Sequence, residues 1–315
     1  MKAIRAQRNT EPPFALASAN QRISSLEKKP ASGGTPAIAT VAIAIRTMTL
    51  KSWGVINIAG SSYAQCRGAR DAGFALTFGA GVGSPEPTDI RNTQCLVLIG
   101  SHLGENMHNT QVQEMAEAIG RGVPIIVVDP RHSVAASKAK YWLPVKPGTD
   151  MALLLAWMNL LVGEGRYDRD FVAKHGHGFD KFAAAIKGYT PEWAAEQCGV
   201  SAEVIRAAAR EFAAHRPAAI VHPGRRVNWY GDDTQRSRAI ALLNALLGSY
   251  GRAGGLYVSQ SMKVAPFALP PYPKSDKPRA DGADGSEFPF ADEGITTSIR
   301  KATLTGKPYP IKGWV

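Results

Sequence analysis

The run Cys95-Leu96-Val97-Leu98-Ile99, answered one helix-length later by Pro124-Ile125-Ile126-Val127-Val128, decides the fold of this chain. Both runs are apolar and of strand length, and the second is rich in β-branched side chains that suit a pleated surface buried on both faces. Gly100 ends the first and Asp129 the second. Between them, Asn109 to Gly120 carries Val112, Met115, Ala116 and Ile119 at helical spacing. Strand, helix, strand over roughly thirty-five residues is a βαβ unit, which predicts a parallel sheet.

The same texture continues outward. A short strand is expected over Tyr141 to Val145, and a helix over Met151 to Val162 that starts at a polar cap and ends near Gly163 and Gly165. Residues 168–216 read as mostly helical, with Pro191 near one start and Pro217 after the last, before a strand at Ala218 to Val221. Asp232 to Leu247 then places Ile240, Leu243, Leu246 and Leu247 on one helix face, with Gly248 and Gly251 at its end. The class expected is α/β: a doubly wound, mostly parallel sheet with flanking helices, plus an incomplete second α/β segment and a poorly ordered N-terminus.

Four stretches follow from this division. Residues 1–52 show weak periodicity and receive no fold, and residues 53–262 form the main α/β region. The Pro-, Gly-, Asp- and Lys-rich stretch 263–292 reads as a surface loop or linker. Residues 293–315 begin a further segment, with a helix at Thr296 to Leu304 and an apolar start at Ile311, so the chain is expected to be truncated.

With 315 residues and 44% hydrophobic content, the chain can bury a core. Its formal charge of +11 favours anionic partners without choosing among nucleic acid, headgroups, pyrophosphates and sulfur oxyanions. Cys66, Cys95 and Cys198 are its three cysteines and form no CxxC pair. Neither a disulfide framework nor a self-contained iron–sulfur cluster is encoded, and a reducing, cytoplasmic setting fits. Met1 to Arg8 is basic, but no apolar signal core follows; Ala37 to Leu50 is interrupted by Arg46 and is too short to span a bilayer.

In an open parallel sheet, ligands sit beyond the carboxyl ends of the strands. The first strand delivers Gly100-Ser101-His102-Leu103-Gly104-Glu105-Asn106, the second Asp129-Pro130-Arg131-His132-Ser133, and the third Lys146-Pro147-Gly148-Thr149-Asp150. Glycines allow close backbone approach, Asp129 can accept from ribose hydroxyls or a base edge, and Arg131 and Lys146 can pair with pyrophosphate. Any one such loop is as readily an ordinary turn; three in succession point to a nucleotide. Neither the GxGxxG nor the P-loop fingerprint is present, which disfavours a plain NAD or ATP enzyme.

Several of these segments carry a family resemblance. Residues 62–68 (Ser62 to Gly68, containing Cys66), Cys95 to Asn106, Val127 to Arg131, Lys146 to Asp150 and Asn244 to Gly248 resemble the molybdopterin oxidoreductases of the dimethyl sulfoxide reductase family. His222-Pro223-Gly224-Arg225-Arg226 and Trp229 to Gln235 are most similar to subunits acting on thiosulfate, polysulfide, tetrathionate or sulfite. The resemblance implies molybdenum or tungsten bis(molybdopterin guanine dinucleotide), with Cys66 as metal ligand and Arg67 or Arg70 helping to hold a small anionic sulfur substrate. It implies cofactor contacts from Gly100, Ser101, His102, Glu105, Asn106, Asp129, Arg131, Lys146, Gly148, Asp150, Gly224 and Arg225. It also implies an iron–sulfur electron-transfer subunit and a membrane anchor subunit as partners. A thiolate is the soft donor that suits such a metal. Cys66 lies in a polar loop, whereas Cys95 and Cys198 read as buried small hydrophobes.

Two departures stand beside these matches. Residues 1–65 hold no Cys for the four-iron cluster that members usually carry, and the chain ends before their C-terminal domain. A noncatalytic remnant or scaffold is therefore the alternative. A helix-turn-helix at Ala194 to Ile205 is a further one, although its second helix offers nucleic acid little that is basic. His175-Gly176-His177, and His102 with His108, come without the carboxylate or Cys that would complete a metal set.

Overall fold

The structure, a computed structural model, describes residues 15–16, 53–59, 68–83, 86–101, 103–104, 109–224, 232–257, 271, 273–282 and 294–314. Ala15–Leu16 (β1) precedes the helix Ala69–Phe78 (α1), the strand Cys95–Ile99 (β2), the helix Asn109–Gly120 (α2) and the strand Ile125–Val128 (β3). Tyr141–Leu143 (β4) leads to Asp150–Gly163 (α3), Arg169–His175 (α4), Gly176–His177 (β5), Phe179–Ile186 (α5), Pro191–Cys198 (α6) and Ala202–Ala214 (α7). Ala219–Val221 (β6), Asp233–Leu247 (α8) and Thr296–Thr305 (α9) follow.

The described residues fall into two compact units. One comprises β1 and the described parts of 69–259; the other comprises those of 31–68 and 260–315, so that residues 53–59 belong to it. The first unit holds a four-stranded parallel sheet in the order β4-β3-β2-β6. Leu96 lies opposite Ile125 and Ile99 opposite Val128, while Val97 lies opposite Val221 on the other side. Every residue of β2, β3 and β6 is buried, as their unbroken apolar runs require of strands covered on both faces. β1 and β5 form a separate antiparallel pair.

Packing explains the helices. α7 turns Ile205, Ala208, Ala209, Phe212 and Ala213 into the core, and α3 buries Trp157, whose indole N–H donates to the Ile205 carbonyl at 3.1 Å. The expected polar cap of α3 is not made: Thr149 donates its hydroxyl to the Lys146 carbonyl at 2.6 Å and caps no helix N–H. The single apolar face expected for α8 is also too narrow a description. Arg236 through Leu247 are all buried, because α8 packs against α1 as well as β6.

Among the described residues β6 is one of the two edge strands, and the outward backbone groups of Val221 need partners. Asn244 of α8 supplies them. Its Oδ1 accepts from Val221 N–H at 3.1 Å, and its Nδ2 donates to the Val221 carbonyl at 2.8 Å and to Ile240 at 2.9 Å. Ser249 Oγ donates to the same Oδ1 at 3.1 Å, fixing the amide.

In the second unit, part of the stretch expected to be a surface loop or linker is tied down. Arg279 donates to the carbonyls of Ile56 (3.0 Å) and Ile58 (3.2 Å) and forms an ion pair with buried Asp281 at 2.6 Å. Ala280 N–H donates to Asn57 Oδ1 at 2.8 Å, so local composition was outweighed by polar contacts distant in sequence.

Replacing Asn244 by Leu leaves buried Val221 groups unpaired and should cost about 3 kcal/mol in urea unfolding. A loss below about 0.5 kcal/mol, the size of an ordinary surface effect, would show that the amide does not close this edge.

Candidate functional site

The strand order creates a switch point. The chain leaves β2 toward β3 on one side, while β6 returns on the other, so the loops after β2 and β6 diverge at the carboxyl edge of the sheet. Ligands of doubly wound sheets bind in such crevices. The described parts of the loops expected to carry the site lie along this edge.

After β2, Gly100 has φ +54° and extends the ladder by donating to Val128 at 2.9 Å; Ser101 beside it is buried. After β3, Asp129 is buried and its Oδ1 accepts from Arg131 N–H at 2.8 Å. Its Oδ2 accepts no hydrogen bond among the described residues. The Asp129 carbonyl receives the Trp142 indole N–H at 2.9 Å, and His132 meets that indole edge-on at 4.7 Å. The Arg131 and Lys146 side chains are exposed. Lys146 anchors its own N–H on the Cys198 carbonyl at 2.9 Å and lays its stem against Gly199. Gly148, at φ +83°, permits the turn that delivers Asp150 to the first position of α3.

Asp150 is not a loose carboxylate. Arg236 of α8 donates to its Oδ2 at 3.3 Å and to Asp233 Oδ1 at 2.8 Å. Asp150 Oδ1 accepts no hydrogen bond among the described residues. Asp129, just after β3, and Asp150, at the start of α3, thus share one pattern: one oxygen held by the protein and one without a hydrogen bond among the described residues.

Beyond β6, His222 is buried and its N–H donates to the Val97 carbonyl at 2.8 Å. Gly224, at φ +67°, donates to His222 Nδ1 at 3.0 Å, and its carbonyl accepts from Arg70 at 2.7 Å. With both backbone groups engaged, Gly224 shapes the edge rather than offering it a donor. Arg70 corrects an expectation: it is fully buried, paired with the equally buried Glu86 and with the Gly83 carbonyl at 2.7 Å. It welds the start of α1 to the exit of β6 and does not face an anionic substrate. Cys66, Arg67, His102, Glu105, Asn106 and Arg225 lie outside the described residues.

Residues 15–286 match the molybdopterin oxidoreductase family. The chain belongs to this family. The thiosulfate reductase molybdopterin-containing subunit PhsA of Salmonella typhimurium is 38% identical over 258 residues, covering 78% of this chain and 34% of PhsA. The dimethyl sulfoxide reductase DmsA of Haemophilus influenzae is 34% identical over 194 residues, 53% of this chain and 23% of its own. The solved structure of acetylene hydratase from Pelobacter acetylenicus superposes with a TM-score of 0.55 at 30% identity, covering 60% of this chain and 25% of that one. The chain therefore spans about a third or less of these relatives' length.

Family membership implies a molybdenum- or tungsten-bearing pterin, and the described residues fit one. Gly100 and Gly148 at positive φ, the half-held carboxylates of Asp129 and Asp150, and the exposed cations of Arg131 and Lys146 form a donor and acceptor set suited to a purine nucleotide with a pyrophosphate. Among the described residues no group of three or more His, Cys, Asp or Glu side chains could hold a metal by itself. A hollow of about 590 Å³ beside Tyr167, Asp168 and Pro217 borders the amino end of β6, away from this chemistry.

The helix-turn-helix alternative loses its surface. α6 and α7 meet at Gly199, φ +78°, and α7 packs on the sheet. Its cations are engaged: Arg206 with Glu192, and Arg210 with Glu164 at 2.8 Å. Arg210, and then Arg166, hold the Glu164 carboxyl below its usual range. Cys95 and Cys198 are buried as expected, and burial pushes both thiols up.

Sequence reasoning missed Glu86, Arg236 and the edge-closing role of Asn244. Only Asn244, a polar residue between Leu242-Leu243 and Leu246-Leu247, carried a signal; Glu86 and Arg236 stand in polar stretches that carry none.

Two outcomes follow. Breaking the buried ion pair with Arg70→Met should destabilise the chain by about 3–5 kcal/mol, and the Arg70→Met/Glu86→Met double variant should recover part of that loss. A double variant worse than the sum of its singles would refute the pairing. In native protein at pH 8, Cys95 should resist alkylation until unfolding; labelling at the rate of a free thiol would contradict its burial.

Proposed function

We propose that this chain is the cofactor-cradling middle part of an enzyme carrying bis(molybdopterin guanine dinucleotide) with molybdenum or tungsten. The observation that carries it is the pair of half-held carboxylates, Asp129 and Asp150, in the segments that follow β3 and β4 at the carboxyl edge of the sheet. Each offers one acceptor to the N–H edge of a guanine base, and two such acceptors suit two nucleotides. Arg131 and Lys146 neutralise pyrophosphate, and the glycines let backbone approach it. Residues 53–262 form the cofactor region in this reading.

In the whole enzyme, the reaction is two-electron transfer of an oxygen or sulfur atom on an inorganic sulfur compound. The 38% identity with a thiosulfate reductase subunit supports that substrate class. The metal supplies the redox chemistry when bound. Cys66 is the protein's thiolate ligand to it, and Arg67 holds the anionic substrate. The surplus of positive charge favours such anions. Electrons pass to or from an iron–sulfur subunit, with a membrane anchor subunit in the assembly; PhsA is itself named as a subunit. Among the described residues of this chain, no helix is long and apolar enough to cross a membrane.

Expressed in a host that makes the cofactor, the chain should co-purify with molybdenum or tungsten by elemental analysis and release a fluorescent pterin on oxidation. Cys66→Ala should keep the pterin and lose thiosulfate reduction with a reduced dye in the complete enzyme. A folded chain carrying neither metal nor pterin would overturn the reading.

A further inference from the structure

Arg236 ties together two helix starts at the carboxyl edge of the sheet. Asp150 is the first residue of α3 and Asp233 the first of α8, and the guanidinium of Arg236 bridges them. The Arg236 side chain is 6% exposed and those of both aspartates 14%. Its Nε is buried and has no hydrogen-bond partner among the described residues. An orphan donor lowers stability, and an apolar side chain would fill this space at less cost. What the arginine adds is orientation: a charge-assisted hydrogen bond holds Asp150 Oδ2, which fixes where Oδ1 points.

We propose that Arg236 is a positioning residue for guanine recognition, presenting Asp150 Oδ1 to the N–H edge of the base. The proposal rests on the cofactor reading above and adds to it a residue that touches neither nucleotide nor metal. Asp233 belongs to the same device. It lies three residues before Arg236 on α8, where a carboxylate also favours the helix start, and it keeps the guanidinium turned toward Asp150. The ordering of Asp150 takes place on folding, so that a ligand does not have to supply it on binding.

The test uses the full chain, free of cofactor, titrated in a calorimeter with guanosine monophosphate and with adenosine monophosphate as the control base. Arg236→Gln should weaken guanosine monophosphate binding about tenfold, the order expected for misdirecting one charge-assisted hydrogen bond, and leave the adenosine control unchanged. Asp150→Asn should do the same, and the double variant should lose no more than either single, because both changes act through one carboxylate. Arg236→Lys, which keeps the charge, should restore part of the guanine preference at a Tm close to that of the parent. This variant carries the test where Arg236→Gln fails to fold.

Additive losses in the double variant, or equal weakening toward both nucleotides, would mark Arg236 as merely structural and overturn the proposal. A parent chain that binds guanosine monophosphate no better than the adenosine control would instead overturn the cofactor reading, and the proposal with it.

Discussion

The amide of Asn244 and the backbone of Val221 hold one edge of the parallel sheet in register. Among the described residues β6 pairs with β2 on one side only, and a strand buried on both faces cannot leave its other polar edge bare. Asn244 satisfies both the N–H and the carbonyl of Val221 from a helix, so α8 stands in for a fifth strand. From Val221 the chain passes directly to His222, which bonds back to β2, and to Gly224, whose carbonyl receives Arg70. One side chain thereby fixes the strand that opens the switch point, the loop that leaves it, and the start of α1.

This arrangement separates two kinds of polar residue at the same edge. Arg70, Glu86 and Asn244 are buried and engaged with protein groups, and they set the geometry. Asp129 and Asp150 are engaged through one oxygen only, while Arg131 and Lys146 project from the surface. Membership of the molybdopterin oxidoreductases implies a pterin cofactor, and the proposal made above places it at this edge.

Much of the fold was legible in the sequence because its signals are local. The runs Cys95 to Ile99 and Asn109 to Gly120 carry their own periodicity, and the structure gives them those same bounds. The positions of Asp129, Lys146 and Asp150 followed from strand ends for the same reason. What stayed hidden depends on partners far along the chain: Arg70 with Gly224, 154 residues apart, and Asp150 with Arg236, 86 residues apart, leave no periodic trace. Local sequence alone therefore does not show that Arg70 is buried in an ion pair or that α8 is covered on all sides. Within the stretch 263–292, expected as a surface loop or linker, the bonds of Arg279 and Ala280 to residues 56–58 are likewise not registered by composition.

The most direct test of the central claim, that the carboxyl edge of this sheet holds the cofactor, is amide hydrogen exchange compared between cofactor-loaded and cofactor-free protein. Slower exchange on loading is expected at Gly100 to Ser101, Asp129 to Ser133 and Gly148 to Asp150, with none at Tyr167 to Asp170 near the opposite end of β6. Protection confined to Tyr167 to Asp170, with the strand-end loops unchanged, would contradict it.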